Sequence, residues 1–108
     1  MAVSREDEPH LTIYNANSRG EYELHISMAA WYVLGRPDYV RMRINPKRQK
    51  IQVIVSDGRD NGAKKIVVRE GSRGYKIGTV KRYVDAGMKT GRYFLDGENI
   101  FTRRAAGI

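Results

Sequence analysis

Apolar and polar residues alternate in several short stretches of the chain, a pattern typical of strands that bury one face. The predicted strands cover residues 10–14, 21–26, 39–44 and 51–55, and a further strand is predicted around residues 64–69. The second strand is the clearest, because Tyr22, Leu24 and Ile26 alternate with polar residues. The third and fourth strands are joined by a loop that begins with Asn45 and Pro46, so we predict that they form a hairpin.

A short helix is predicted between the second and third strands, over residues 28–34, where nearly every residue is apolar. The Ser27 hydroxyl can accept a hydrogen bond from a free amide of the first helical turn, so it is a suitable cap. Gly35 provides a left-handed stop, and Pro37 prevents the helix from continuing. Because a helix of about two turns is marginal on its own, we expect Trp31 to be its central anchor.

The C-terminal part of the chain predicts a second helix followed by a second hairpin. Four apolar residues are spaced as one face of a helix requires: Ile77, Val80, Tyr83 and Val84. Thr79 can cap this helix, and Gly87 can end it. Asp96 and Gly97, which lie between two β-forming stretches, are the strongest short hairpin signal in the chain.

These elements predict an α+β fold that is mostly β. We divide it into a flexible N-terminal tail at residues 1–9, a β-rich core at residues 10–69 and a helix-plus-hairpin sub-domain at residues 70–108. A chain of 108 residues is expected to form one compact domain with no room for a large enclosed substrate pocket. The absence of cysteine excludes disulfides and thiol-based sites. Because no signal peptide and no apolar run of roughly 20 residues is visible, we expect a cytoplasmic protein without membrane association.

The net charge of +8 is distributed unevenly along the chain. Residues 1–38 contain three Arg and six acidic residues, whereas residues 39–108 contain 17 Lys or Arg and six acidic residues. A basic face of that size predicts a polyanionic partner, with nucleic acid as the first choice. The alternative is a basic surface that serves only solubility.

The first helix and the strands around it follow a pattern known from a family of regulators. The pattern is a strand led by glycine, a short helix, a Leu-Gly pair, a valine-bearing strand and a hairpin that closes on a β-branched strand. Its parts here are Gly20, Leu24, Ile26, Leu34, Gly35, Tyr39, Val40, Asn45, Pro46 and residues 51–55. In these residues the chain resembles the swapped-hairpin fold of AbrB/SpoVT-type bacterial transition-state regulators and antitoxins. It is also similar to small uncharacterised phage and plasmid proteins with an L-G-x-P-x-Y-V motif, which residues 34–40 match.

The first resemblance implies a swapped-hairpin-like β-α-β-β core and an intertwined homodimer whose basic residues bind DNA in a regulatory role. Such regulators usually have Arg directly after the leading Gly, where this chain has Glu21, and Arg19 could substitute for it. The second resemblance suggests an alternative, a phage- or plasmid-encoded inhibitor of a host nucleic-acid enzyme such as a CRISPR effector, with Glu21 and Glu23 as phosphate mimics. A third possibility is an antitoxin-like partner whose tail folds on another protein.

Two groups of basic residues are the candidates for nucleic-acid binding. The first, which we call the hairpin patch, consists of Arg41, Arg43, Lys47, Arg48 and Lys50, with no acidic residue between positions 39 and 52. Arg41 and Arg43 share one face of the predicted strand, and the bases of the loop extend that face. Because each cation set against a phosphate releases a condensed counterion, this patch predicts salt-sensitive binding. The alternative is an ordinary solvated strand face.

The second group, which we call the C-terminal patch, consists of Lys81, Arg82 and Arg92. Together with Lys76, this patch gives the second helix a basic side and places one basic residue, Arg92, on the second hairpin. The arrangement resembles the helix and wing of excisionase-like DNA readers. Four aromatic residues interleaved with these bases could instead stack on the bases of a single strand: Tyr75, Tyr83, Tyr93 and Phe94. For Tyr83 and Phe94 we favour a place in the core.

The sequence offers little for catalysis or metal binding. Its two histidines, His10 and His25, lie near the N-terminus and on a strand, so neither a metal cluster nor a histidine acid–base pair is expected. Residues 57–62 faintly resemble a calcium loop, but Val68 stands where the bidentate Glu would be needed, and we favour a plain turn. We therefore predict no catalytic residue, no metal and no cofactor.

Overall fold

The computed structural model describes residues 8–16, 20–67 and 74–104, and in these ranges the chain forms eight strands and two short helices. The elements are β1 (His10–Asn15), β2 (Tyr22–Ser27), α1 (Met28–Val33), β3 (Tyr39–Asn45), β4 (Lys50–Ser56), β5 (Lys64–Lys65), β6 (Gly74–Thr79), α2 (Lys81–Asp85), β7 (Gly91–Leu95) and β8 (Ile100–Arg103). The prediction of an α+β fold that is mostly β is confirmed.

The eight strands form one antiparallel sheet in the order β5-β3-β4-β8-β7-β1-β2-β6. Its two edges meet at a bridge between Val67 and Lys76, where the Val67 amide donates to the Lys76 carbonyl at 2.8 Å and the Lys76 amide donates back at 3.2 Å. The sheet is therefore nearly closed, with one face toward the interior and the other toward solvent. The hairpin formed by β7 and β8 lies in the middle of the sheet, between β4 and β1.

Every second residue of the longer strands fills the interior. The strand residues with at most 1% of their surface exposed are Leu11, Ile13, Leu24, Ile26, Val40, Ile51, Val53, Tyr93 and Phe101. Burial of each such side chain contributes on the order of 1.5–3 kcal/mol, so these positions set which face of each strand turns inward. The residues between them consequently form the outer face of the sheet, where the basic side chains lie.

Helix α1 begins with the cap that the sequence predicts. The Ser27 hydroxyl oxygen accepts a hydrogen bond from the Ala30 amide at 3.1 Å and another from the His10 amide at 3.0 Å. The helix ends at Val33, and Gly35 follows with a φ of +87°, a left-handed conformation that glycine adopts without strain. The predicted cap and stop are both confirmed.

Trp31 ties this short helix to the rest of the molecule. Its indole nitrogen donates to the Pro37 carbonyl at 2.9 Å, and its ring packs edge-on against the buried Tyr75 with ring centroids 4.9 Å apart. Trp31 is half-buried and packs against the core, so it does anchor α1.

The second helix is shorter than predicted, because part of the stretch assigned to it is strand β6. Tyr75 and Ile77 are buried and Lys76 lies between them, which is the period of a strand. Thr79 is the last residue of β6 and does not cap α2, since Val80 occupies the cap position and makes no side-chain hydrogen bond there. The assignment of Lys76 and Ile77 to the helix is therefore wrong, as is the Thr79 cap, and the predicted helix is correct only for the turn at Lys81–Asp85.

Both predicted hairpins are present. β3 and β4 pair over their full lengths, from Tyr39 opposite Ser56 to Asn45 opposite Lys50. β7 and β8 flank the turn that contains Gly97, whose φ is +106°. β5 is shorter than expected, and residues 68 and 69 of the predicted strand lie outside the described residues, as does most of the predicted N-terminal tail. The order β2-α1-β3-β4 matches the expected β-α-β-β core, and within one chain β2 pairs with β1 and β6.

Candidate nucleic-acid interface

The hairpin patch lies on the outer face of β3 and β4 and on the loop between them. Arg41 and Arg43 alternate along β3 with residues that face the interior. Residues opposite each other in an antiparallel pair share a face, and Arg43 lies opposite Gln52 while Asn45 lies opposite Lys50. The structure therefore places Arg41, Arg43 and Lys50 on one surface.

Two open grooves meet at Arg43. One, of about 230 Å³, is lined by Arg43, Ile44, Asn45, Lys50, Gln52 and Ile100. The other, of about 160 Å³, is lined by Arg41, Met42, Arg43, Ile54, Asn61 and Gly62. Both are smaller than the roughly 300–1,000 Å³ typical of small-molecule pockets. They suit a ligand that lies along the surface better than one that enters a cavity.

The position of Lys47 and Arg48 depends on Gln49, the last residue of the loop. The Gln49 side-chain amide donates to the Gly87 carbonyl at 2.9 Å and accepts from the Lys89 amide at 2.9 Å. These bonds hold the loop against the connection between α2 and β7. Lys47 and Arg48 are exposed on this loop, and Lys89 is exposed on the segment that Gln49 contacts.

Lys89 and Arg103 also belong to this basic region, and the sequence analysis missed them. Lys89 is exposed, and the Arg103 amide donates to the Gln49 carbonyl at 3.0 Å while its guanidinium donates to the Thr90 carbonyl at 2.9 Å. Residues 49 and 89 are 40 positions apart in sequence. No local pattern could have shown that the two stretches meet.

Most cations of the hairpin patch have no acidic partner among the residues that the structure describes. Arg41 is the exception, because its Nε atom lies 3.9 Å from an Asp60 carboxylate oxygen. This Nε atom is buried and makes no hydrogen bond. Within residues 8–16, 20–67 and 74–104, no ion pair is formed by Arg43, Lys47, Arg48 or Lys50. These four side chains therefore keep their charge available for a partner.

The C-terminal patch is not assembled as a helix and wing. Lys81 and Arg82 are exposed in the first turn of α2, but Lys76, expected on the same helix, lies on β6. Arg92 is exposed on β7, opposite Thr12 of β1, and so belongs to the outer face of the sheet. Arg19 lies outside the described residues.

The four aromatic residues considered for stacking have different surroundings. Tyr75 and Tyr93 are buried, so they are not available to a ligand. Tyr83 is half-buried and packs against the core, as expected, and burial raises its pKa although the charge of Arg82 opposes the shift. Phe94, expected in the core, lies instead on the outer face, opposite Thr102 of β8, where it is partly buried.

A second polar cluster, not foreseen from the sequence, lies on the outer face of β1, β2 and β6. The Tyr14 hydroxyl lies 2.8 Å from Nε2 of His25 and donates to a Glu23 carboxylate oxygen at 3.0 Å. The same oxygen is 3.4 Å from Nε2 of His25 and 3.5 Å from the Lys76 ammonium. The alternation in β2 already put Glu23 and His25 on one face, but Tyr14 and Lys76 come from other strands.

The Glu23 carboxylate is satisfied within this cluster. Burial alone would raise the pKa of Glu23, but the hydrogen bonds from Tyr14 and His25 and the charge of Lys76 together lower it below its usual value. The carboxylate therefore stays charged and engaged, which favours a structural cross-strand role over proton transfer.

Comparison with known proteins assigns the chain to no class. No family model, no curated protein and no solved structure matches it. In the described part of the chain, no three His, Cys, Asp or Glu residues are grouped closely enough to hold a metal ion. None of the helices in those same ranges is long and apolar enough to cross a lipid bilayer.

Proposed function

We propose that this protein is a small, cytoplasmic nucleic-acid-binding regulator, with DNA as the favoured ligand, that acts as a homodimer without catalysis. Phosphates would contact the hairpin patch first, and the C-terminal patch would add further contacts. The homodimer is proposed from the resemblance to AbrB/SpoVT-type regulators, whose chains exchange strands.

The observation that supports this proposal is the set of uncompensated cations on and beside one hairpin. Arg43 and Lys50 share a surface, and the loop with Lys47 and Arg48 is joined through Gln49 to the segment that carries Lys89. A surface with several unpaired cations attracts a polyanion and releases its counterions on binding. Such contacts fix the register of a nucleic acid and carry no base specificity.

The alternative, an inhibitor that mimics nucleic acid, has weaker support. A phosphate mimic must present its carboxylate to a basic partner surface. The Glu23 side chain is only 19% exposed, and its carboxylate is already engaged by Tyr14, His25 and Lys76. Co-purification with a host nuclease, in the absence of binding to free DNA, would nevertheless favour the inhibitor.

Charge reversal in the hairpin patch tests the proposal. We expect Arg43→Glu and Arg48→Glu, each made singly, to weaken binding to a labelled duplex because each removes a phosphate contact. The slope of log affinity against log salt concentration is negative, and it should become shallower by about 0.9 for each lost contact with duplex DNA. Gel shifts with duplex DNA, single-stranded DNA and RNA at several salt concentrations provide the measurement, and light scattering on the same sample gives the oligomeric state.

The matched control is Arg36→Glu, which makes the same charge change at an exposed residue just after α1. Arg36→Glu should lower the affinity less than Arg43→Glu or Arg48→Glu does. The salt slope of this variant should equal that of the unaltered protein. If duplex affinity and salt slope survive both reversals in the hairpin patch, the assignment of the site is wrong.

A further inference from the structure

We propose that the outer face of β3, β4, β8 and β7 binds single-stranded nucleic acid, with a base stacked at Phe94 and phosphates at Lys50 and Arg43. This inference rests on the proposed function and names the form of nucleic acid that the same face prefers. It begins with the one aromatic side chain of the C-terminal hairpin that points outward, Phe94.

Strand pairing aligns Phe94 with the hairpin patch. Lys50 of β4 lies opposite Thr102 of β8, and Thr102 lies opposite Phe94 of β7, so these three residues form one row across the outer face. Neighbouring strands are about 4.8 Å apart, which puts the backbones at Lys50 and Phe94 roughly 10 Å from each other. A cation and an aromatic ring at that separation can contact the backbone and a base of one extended strand.

The Phe94 ring already has the neighbours of a stacking site. The guanidinium carbon of Arg104 lies 4.2 Å from the centroid of the ring, and the His10 ring lies 5.6 Å from it at an angle of 46°. The Arg104 side chain is 58% exposed. Nucleobases stack on aromatic rings and on guanidinium planes alike, so Phe94 and Arg104 together offer a platform.

The carboxylates beside the platform are engaged by neighbouring side chains. Glu8 pairs with Arg104 at 3.1 Å, and the Asp96 carboxylate accepts a hydrogen bond from the Thr102 hydroxyl at 3.3 Å. Each is thus partly offset by a donor, and neither lies within ion-pair distance of Lys50 or Arg43 in the described part of the chain.

The shape of this surface favours a single strand over a duplex. In a duplex the base faces are stacked on each other, and the sequence is read in the grooves by an inserted helix or a two-stranded ribbon. β4, β8 and β7 each have a paired strand on both sides, so none of them protrudes as a ribbon. The helices α1 and α2 span six and five residues, too short for a recognition helix. A surface row of this kind reaches exposed bases and cannot enter a groove.

The test uses fluorescence anisotropy with a labelled mixed-sequence 20-mer as single-stranded DNA, as the RNA of equivalent sequence, and as the DNA duplex. We expect single strands to bind more tightly than the duplex, and Phe94→Leu to weaken single-strand binding roughly tenfold while leaving duplex binding unchanged. Phe94→Tyr keeps the ring and should keep the affinity. Arg104→Gln leaves β7 intact and should also weaken single-strand binding. It provides the test if Phe94→Leu does not fold.

Failure of this inference can be distinguished from failure of the proposed function. The stacking site is overturned if the duplex binds as tightly as the single strand or more tightly. It is also overturned if Phe94→Leu lowers the affinities for single strand and duplex equally. Either result leaves a nucleic-acid-binding protein whose affinity still falls in Arg43→Glu. No binding to any of the three probes overturns both. The DNA and RNA arms show which sugar the site accepts.

Discussion

At the scale of single residues, the basic loop depends on a network around Gln49 and Tyr93. The Tyr93 hydroxyl donates to the Lys89 carbonyl and lies 3.1 Å from the side-chain oxygen of Gln49. Because Gln49 in turn bonds to Gly87 and Lys89, one buried phenol is connected to both segments that carry exposed cations. Tyr93 is thus part of the core and also part of the support of the candidate interface.

The ionisation of Tyr93 gives a test of this network in alkaline solution. Burial raises the pKa of Tyr93 to about 12, although the charge of Arg103 and the bond to Lys89 oppose the shift. Since this pKa is above the ordinary value of 10.0, the folded chain holds the proton more tightly than the unfolded chain does. The contribution of this group to the free energy of unfolding is fully present below pH 10 and is lost as the pH rises toward about 12.

We therefore expect the stability advantage of the unaltered protein over Tyr93→Phe to shrink by about 1 kcal/mol between pH 9 and pH 11. Urea unfolding of both proteins at the two pH values measures it, and subtraction removes the effect of lysine titration. Tyr32→Phe, at a side chain that is 57% exposed, is the control. Parallel pH profiles for the protein and Tyr93→Phe would contradict the role given to the buried phenol.

The limits of sequence reasoning at this scale are visible at Phe94 and Lys76. Phe94 was expected inside because it is large and apolar, yet its strand alternates and Tyr93 takes the inward position. Which of two adjacent aromatic residues turns inward is decided by the register with β8, and register was not available from a single sequence. The surroundings of Lys76, in the cluster with Glu23, depend on the same kind of pairing.

At the scale of elements, the pieces defined by local signals were predicted well. A cap, a glycine stop and a short loop act over a few residues, so β2, α1 and the β3–β4 hairpin could be located from the sequence. β6 was missed because Ile77, Val80, Tyr83 and Val84 have helical spacing by coincidence. In the structure Ile77 belongs to strand β6, where it alternates with Tyr75. Of the four residues, only Tyr83 and Val84 belong to α2.

The cap of α1 can be tested directly. Ser27→Ala removes the acceptor of the Ala30 and His10 amides, so we expect the free energy of unfolding to fall by about 1–2 kcal/mol. Urea unfolding gives the stability, and hydrogen exchange should become faster at the amides of Ala30 and His10. Ser27→Thr retains the hydroxyl and is expected to retain both protected amides. An unchanged midpoint together with unchanged exchange in Ser27→Ala would show that the cap contributes nothing.

At the scale of the whole molecule, the order of the strands could not be predicted. β1 pairs with β7, and β4 pairs with β8, across more than 40 residues of chain in each case. Local patterns gave the C-terminal hairpin and the N-terminal strand as separate pieces, and no residue type marks which strands will be neighbours. The candidate interface depends on these pairings, since they bring Phe94 into one row with Lys50.

The same topology gives a prediction about how the chain divides. The sequence suggests a core at residues 10–69 and a sub-domain at residues 70–108, but β7 and β8 fill the space between β4 and β1. A chain that ends after Thr90 lacks both strands and loses Tyr93 and Phe101, the largest of the fully buried side chains. It would also expose the unpaired edges of β4 and β1. We therefore expect this chain to show no cooperative urea unfolding and little dispersion of its amide resonances.

The control for this truncation is a chain that ends after Arg104, which keeps every described strand and should unfold cooperatively like the full-length protein. The comparison decides between two physical descriptions. If the core depends on the inserted hairpin, the shorter chain fails because β4 and β1 cannot pair with each other without moving across the interior. If the chain that ends after Thr90 instead unfolds cooperatively, the elements from β1 to α2 form a separable unit that does not need β7 and β8. The stacking site predicts that this shorter chain binds single-stranded DNA more weakly than the full-length protein, because Phe94 and Arg104 are absent, and undiminished affinity would contradict it.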